Sequence, residues 1–118
     1  MKKIVIIDDE IKLREAIVEL FSFIGYQIIE ANDGIDGLEK VQLHQPDLII
    51  CDVMMPKLDG YGFLKIHSSS SNSAIPVVLL TAKTEEGDEL IGKELGAKEY
   101  VKKPFTFQEL RKIVEKYI

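Results

Sequence analysis

Five short apolar runs alternate with five helix-patterned stretches, and this alternation constrains the fold more than any other feature of the chain. The runs Ile4–Ile7, Gln27–Ala31, Asp47–Cys51, Pro76–Leu80 and Lys98–Val101 read as strands. Three of them, Ile4-Val5-Ile6-Ile7, Leu48-Ile49-Ile50 and Val77-Val78-Leu79-Leu80, are nearly continuous in apolar side chains. Strands buried on one face alternate apolar with polar residues; continuous runs belong to parallel strands covered on both faces.

The intervening stretches carry the helical period. Leu13, Ala16, Ile17, Leu20, Phe21 and Ile24 recur at helical spacing, and Gly25 is a natural stop. Ile35, Leu38 and Val41 repeat the pattern before Pro46, Phe63, Leu64 and Ile66 after the Asp59-Gly60 turn, and Leu90, Ile91 and Leu95 before Gly96. The last helix has the clearest start: Thr106 with Glu109 forms a capping-box pattern, Phe105 and Leu110 are placed as a hydrophobic staple, and Phe107, Leu110, Ile113, Val114 and Tyr117 face inward. Ser68–Ser71 reads as a polar surface loop. Alternation of this kind implies an α/β fold with a parallel sheet and helices on both faces. Right-handed crossovers leave few topologies, and for five strands the doubly wound order 2-1-3-4-5 is favoured.

The 118 residues fit one domain spanning 1–118. A net charge of −5 argues against a nucleic-acid-binding face, which must neutralise phosphates. The lone cysteine, Cys51, lies in an apolar run and reads as a buried reduced thiol. No stretch approaches the roughly 20 apolar residues of a membrane helix, and the N-terminus lacks the pattern of a signal peptide. These features together make a cytoplasmic chain the expectation.

Sheets of this class bind ligands beyond the carboxyl ends of their strands, where the strand order switches. There the first strand ends in Asp8-Asp9, the third in Asp52 and the fourth in Thr81, while Lys103-Pro104 follows the fifth. Each of these alone has an ordinary explanation: an Asp pair solvates a loop, a Thr forms a turn, a Lys-Pro says little. Asp59-Gly60 is assigned to a turn, and His44 and His67 to solvated surface. The conjunction of polar residues at one end of different strands is what points to chemistry. Two like charges about 4 Å apart repel by about 4 kcal/mol at an effective dielectric of 20. A hard divalent cation relieves that repulsion, and a small oxygen cluster that leaves room for waters suits Mg²⁺ (or Mn²⁺). A cation beside an ammonium is also the setting for phosphoryl transfer, with a carboxylate as nucleophile.

The motifs Ile6-Ile7-Asp8-Asp9-Glu10, Asp52-Val53-Met54-Met55-Pro56-Lys57-Leu58-Asp59-Gly60, Leu80-Thr81-Ala82 and Gly96-Ala97-Lys98-Glu99-Tyr100-Val101-Lys102-Lys103-Pro104-Phe105 resemble, over the whole chain, the receiver domain of bacterial two-component response regulators. The resemblance implies a flavodoxin-like (βα)5 fold and a phosphorylation switch. Asp52 would accept a phosphoryl group from the phosphohistidine of a sensor histidine kinase or phosphotransfer protein. Asp9, Asp52 and the backbone carbonyl of Met54 would bind Mg²⁺, with Asp8 reaching it through water. Lys103 would pair with the Asp52 carboxylate and then with a phosphoryl oxygen, and Thr81 would bond another. Tyr100 would swing inward as Thr81 moves, and the Lys103–Pro104 bond would be cis. Lys98 stands where many members of that family carry an acidic residue.

The same resemblance implies that the change passes to the face made by the fourth helix, fifth strand and fifth helix, which carries Glu89, Lys93, Lys98, Glu99, Arg111 and Lys112. Those mixed charges suit a phosphorylation-driven homodimer. Two rivals fit less well. Haloacid-dehalogenase-type phosphatases place an Asp-x-Asp pair after the first strand, whereas here the aspartates are adjacent and Met54 lies two places after Asp52. A flavin carrier needs a hydroxyl- and glycine-rich loop where Asp8-Asp9-Glu10 stands. The expectation is a self-modifying switch without external turnover, either stand-alone or cut from a longer regulator.

Overall fold

In the computed structural model, which describes residues 1–82 and 86–118 and gives only the backbone of 86–89, strands and helices alternate strictly. The order is β1 (Lys3–Ile7), α1 (Ile11–Phe23), β2 (Gln27–Ala31), α2 (Gly34–His44), β3 (Leu48–Asp52), α3 (Gly60–Ser68), β4 (Val77–Thr81), α4 (Glu86–Glu94), β5 (Glu99–Lys102) and α5 (Phe107–Tyr117). All pairings are parallel, and the sheet runs β2-β1-β3-β4-β5, as expected for a doubly wound domain.

Successive strand side chains point to opposite faces, so each continuous apolar run feeds two cores. Val5, Ile7, Ile49, Cys51, Val77 and Leu79 pack with Val41 of α2 and Phe63 and Leu64 of α3. Ile4, Ile6, Leu48, Ile50, Val78, Leu80 and Val101 pack on the other side with Ile17 and Phe21 of α1 and Leu110 and Val114 of α5. Cys51 is a buried free thiol, as its apolar setting indicated.

The strand bounds differ from the sequence expectation by one residue. β1 starts at Lys3, while β3, β4 and β5 start and end one residue later. Asp47 precedes β3: its carboxylate accepts a 2.8 Å bond from the Lys3 amide, and its own amide donates to the Lys3 carbonyl at 2.8 Å. Asp52 and Thr81 are therefore the last residues of their strands.

Helix ends follow local chemistry. Asp33, Asp59 and Thr106 cap α2, α3 and α5 by accepting bonds from Asp36, Gly62 and Glu109 amides at 2.8, 2.8 and 3.1 Å. Gly25 closes α1 at φ +106° and Gly96 closes α4 at φ +109°, a region glycine enters without steric cost. Their amides donate to Ser22 and Lys93 carbonyls, and those of Tyr26 and Ala97 to Phe21 and Gly92, which satisfies the last carbonyls of each helix.

The inward stripes are narrower than the periodicity implied. Ala16, Leu20, Ile35, Ile66, Leu90 and Ile91 are exposed. On α2 the buried positions are Gly34, Gly37 and Val41, because the absence of a Cβ lets that helix approach Ile7 and Leu58 closely.

Two further expectations are corrected. His67 is buried rather than solvated: its Nε2 lies 2.9 Å from the Ile75 carbonyl and its ring stacks on Phe63. His44 is only half-buried. Ser68 is the last residue of α3, not loop, and donates a 2.7 Å bond to the Leu95 carbonyl. It ties α3 to the end of α4.

Candidate functional site

The strand order switches between β1 and β3, and the carboxyl ends of these two strands bring Asp8, Asp9 and Asp52 together. One oxygen of each carboxylate lies within 4.8 Å of the others. Asp8 and Asp52 are buried, and Asp9 is exposed. The β1 ladder ends in an Asp8 amide bond to the Ala31 carbonyl at 3.1 Å, so Asp8 leaves the sheet at a fixed point. Asp8 Oδ1 then accepts from the Glu10 amide at 2.9 Å. Its other oxygen, Oδ2, is buried and has no hydrogen-bond partner among the described residues.

Asp52 is held by the sheet and by α3. Its Oδ1 accepts from its neighbour's amide, Val53, at 3.0 Å, and the Val53 amide also donates to the Leu80 carbonyl at 2.9 Å. The Gly60 amide donates to the Val53 carbonyl at 2.8 Å. A Cβ on Gly60 would meet the Asp52 carbonyl oxygen at 2.5 Å, so only glycine lets α3 start this close to the end of β3.

Lys103 reaches the centre from the far side. Its amide donates to the Thr81 carbonyl at 2.7 Å, which carries the β4–β5 pairing one residue beyond the strand. Its Nζ lies 3.3 Å from Asp52 Oδ1 and 3.5 Å from Glu10 Oε2. The Lys103–Pro104 bond is cis. Glu10, Leu13, Lys103, Pro104 and Phe105 line a cleft of about 270 Å³ beside the carboxylates.

The electrostatics follow from burial and like charge. Burial, then the Asp52 charge, push the Asp8 carboxyl up to about 6 against the Glu10 amide and Lys103. The Asp52 carboxyl is raised by burial and by Asp9, against the pull of Lys103 and the Val53 amide. Burial pulls the Lys103 ammonium down, but Asp52 and Asp8 outweigh it and hold the ammonium above its ordinary value. A buried anionic oxygen without a donor, beside two further carboxylates, is the donor set of a hard divalent cation. The residues present fit such an ion.

Thr81 is fully buried at the end of β4. Met54 lies two residues beyond Asp52, its side chain largely exposed. Tyr100 lies within β5. Its ring is half-buried beside Gly92 of α4, and its hydroxyl lies 3.2 Å from that of Tyr61 on α3.

On the α4-β5-α5 face, Glu99 pairs with Lys116 at 3.2 Å and accepts from the Tyr117 hydroxyl at 3.0 Å, while Arg111 pairs with Glu115 at 2.7 Å. These charges are engaged within the chain. The side chain of Glu89, which the sequence placed on this face, lies outside the described residues.

Sequence reasoning passed over Glu10, Arg14 and Tyr61. Glu10 had a signal in its place beside Asp8-Asp9. Arg14 donates to the Asp8 carbonyl at 2.6 Å, and its other partners, Glu30 and Asn32, lie 16 and 18 residues away. Tyr61 and Tyr100 are 39 residues apart, so no local pattern links them.

A family model described as the response regulator receiver domain matches residues 4–115. The probable transcriptional regulator ycf27 of Cyanophora paradoxa is 46% identical over 109 residues, covering 92% of this chain and 45% of that protein. The alkaline phosphatase synthesis transcriptional regulatory protein PhoP of Bacillus subtilis (strain 168) is 43% identical over 113 residues, again covering 92% of this chain and 45% of that protein. Among solved structures, the chemotaxis protein CheY4 of Vibrio cholerae superposes with a TM-score of 0.93 at 32% identity, covering 100% of this chain and 99% of that one. The chain therefore spans less than half the length of these two curated relatives. Among the described residues no helix is long and apolar enough to cross a membrane.

Proposed function

This chain belongs to the response regulator receiver domain family, and from that membership we propose that Asp52 is the phosphoacceptor of a two-component signalling switch spanning residues 1–118. The observation that carries the reading is the pairing of Asp52 with Lys103 at 3.3 Å beside two further carboxylates. The Lys103 ammonium orients one carboxylate oxygen and stands ready to neutralise charge on an arriving phosphoryl group. Phosphoryl transfer is largely positioning and charge neutralisation, so little more is asked of the protein.

Asp8, Asp9 and Asp52 are the residues that would hold Mg²⁺ (or Mn²⁺), with the Met54 carbonyl completing the protein ligands. The ion would supply charge neutralisation at the phosphoryl oxygens. Thr81, at the neighbouring strand end, donates a hydrogen bond to the phosphorylated carboxylate and draws inward. Tyr100 then reports the change to the α4-β5-α5 face. The donor is a phosphohistidine of a sensor kinase or phosphotransfer protein, entering beside the Glu10–Phe105 cleft. The chain assists its own phosphorylation and dephosphorylation, works in the cytoplasm, and pairs with a second phosphorylated copy through that face. Exposed ion pairs contribute only about 0–1 kcal/mol each, and Glu99 and Arg111 already have partners in the chain. A dimer therefore depends on the phosphoryl group shifting the population of the face.

The test is intact mass after incubation with acetyl phosphate and Mg²⁺. One added phosphoryl group is expected, and none with EDTA or in Asp52→Asn. Equal labelling of Asp52→Asn overturns the assignment.

A further inference from the structure

We propose that Arg14 is the positioning residue of the acidic centre, holding the Asp8–Asp9 turn so that three carboxylates can share one cation; this rests on the Mg²⁺ reading above. Arg14 lies in the first turn of α1, and its guanidinium ties that helix to two other stretches of chain, the Asp8 turn and residues 30–32. Nη1 donates to the Asp8 carbonyl at 2.6 Å and to Asn32 Oδ1 at 3.0 Å, while Nε donates to Glu30 Oε1 at 3.0 Å. The ends of β1 and β2 and the β2–α2 loop thus meet on one side chain. That side chain is only 11% exposed, against 45% for Glu30, so this is not a free surface pair.

The carbonyl that Arg14 holds belongs to the peptide joining Asp8 to Asp9. A peptide is planar, so a short bond to its oxygen fixes the direction in which the chain leaves Asp8 and presents Asp9. Asp8 Oδ1 is occupied by the Glu10 amide, and Oδ2 is the buried oxygen without a partner. Asp8 thus has its backbone and one oxygen fixed by protein and the other left for a ligand.

A lysine would keep the charge but not the geometry. Its compact ammonium cannot present the planar fork that spans these acceptors. Groups that orient metal ligands from behind typically change metal affinity by about 10–100-fold when removed.

The experiment is calorimetric titration of Mg²⁺ into the full chain, with the melting temperature of each metal-free variant measured alongside. Arg14→Ala and Arg14→Lys should each bind Mg²⁺ about tenfold more weakly or worse. Arg111→Ala removes the same charge from α5 and should stay within about twofold of wild type, since distant exposed charges are screened. Wild-type affinity in a folded Arg14 variant overturns the proposal, even with a lowered melting temperature. If Arg14→Ala does not fold, Arg14→Lys decides in the same way; if neither folds, Arg14 is structural and the proposal falls. Failure of the wild-type chain itself to bind Mg²⁺ refutes the metal reading, and this inference with it.

Discussion

The hydroxyls of Tyr61 and Tyr100 meet at 3.2 Å and join the first turn of α3 to β5. Both rings pack on the core shared with α2 and α3, and Gly92 of α4 leaves room for the Tyr100 ring. Movement of Tyr100 must therefore break or carry this bond. Tyr61→Phe keeps the ring and removes the hydroxyl, and should cost about 0.5–1.5 kcal/mol in denaturant unfolding. Amide exchange at residues 98–102 should quicken more than at residues 3–7. Uniform quickening would show that the bond does not hold β5 locally.

Asp8 contributes to stability in a direction set by its raised value. The folded carboxyl titrates near 6, above its ordinary 3.8, so the folded chain holds this proton longer than the unfolded chain does. The associated stability is full below about pH 4 and is lost as pH rises through about 6. At about 1.4 kcal/mol per pH unit, lessened by solvent screening and by the shared charge of Asp52, the loss is on the order of 1–2 kcal/mol. The metal-free chain should therefore lose this increment between pH 4 and pH 6, and Asp8→Asn should flatten that trend and melt several degrees higher at pH 7. The same variant should bind Mg²⁺ more weakly. A lower metal-free melting temperature for Asp8→Asn at pH 7 would contradict this account.

Gly60 tests how the fold positions Asp52. An added Cβ would meet the Asp52 carbonyl oxygen at 2.5 Å and the Val53 Cα at 2.7 Å, both backbone atoms that cannot rotate away. Gly60→Ala should cost about 1–3 kcal/mol in unfolding free energy and slow labelling by acetyl phosphate beyond what its loss of stability explains. A folded variant labelled at the wild-type rate would show that Asp52 tolerates this displacement.

What could be read in advance depended on how local the physics was. The continuous runs at Ile4–Ile7 and Leu48–Ile50 required a sheet covered on both faces, and the cap at Thr106 is formed as its local sequence indicates. That Asp8, Asp9 and Asp52 would lie together was legible because the ends of parallel strands converge by topology alone. His67 was misread although Phe63, four residues earlier on the same helix face, is buried. A polar ring four places from a core phenylalanine stacks on it and must find an acceptor, here the Ile75 carbonyl. Arg14 and Tyr61 could not be found in this way. Their partners come from distant segments, brought close by the register of β1 against β2, the packing of α1 on β2 and the meeting of Tyr61 on α3 with Tyr100 on β5.

We propose that Asp52, rather than Asp8 or Asp9, takes the phosphoryl group. Borohydride reduces an acyl phosphate to the alcohol, so labelling with acetyl phosphate and Mg²⁺, reduction and peptide mass mapping mark the modified residue as homoserine. Homoserine at position 52 alone, absent without acetyl phosphate, is the predicted result. Homoserine at position 8 or 9, or none anywhere in a chain whose intact mass shows phosphorylation, would contradict it.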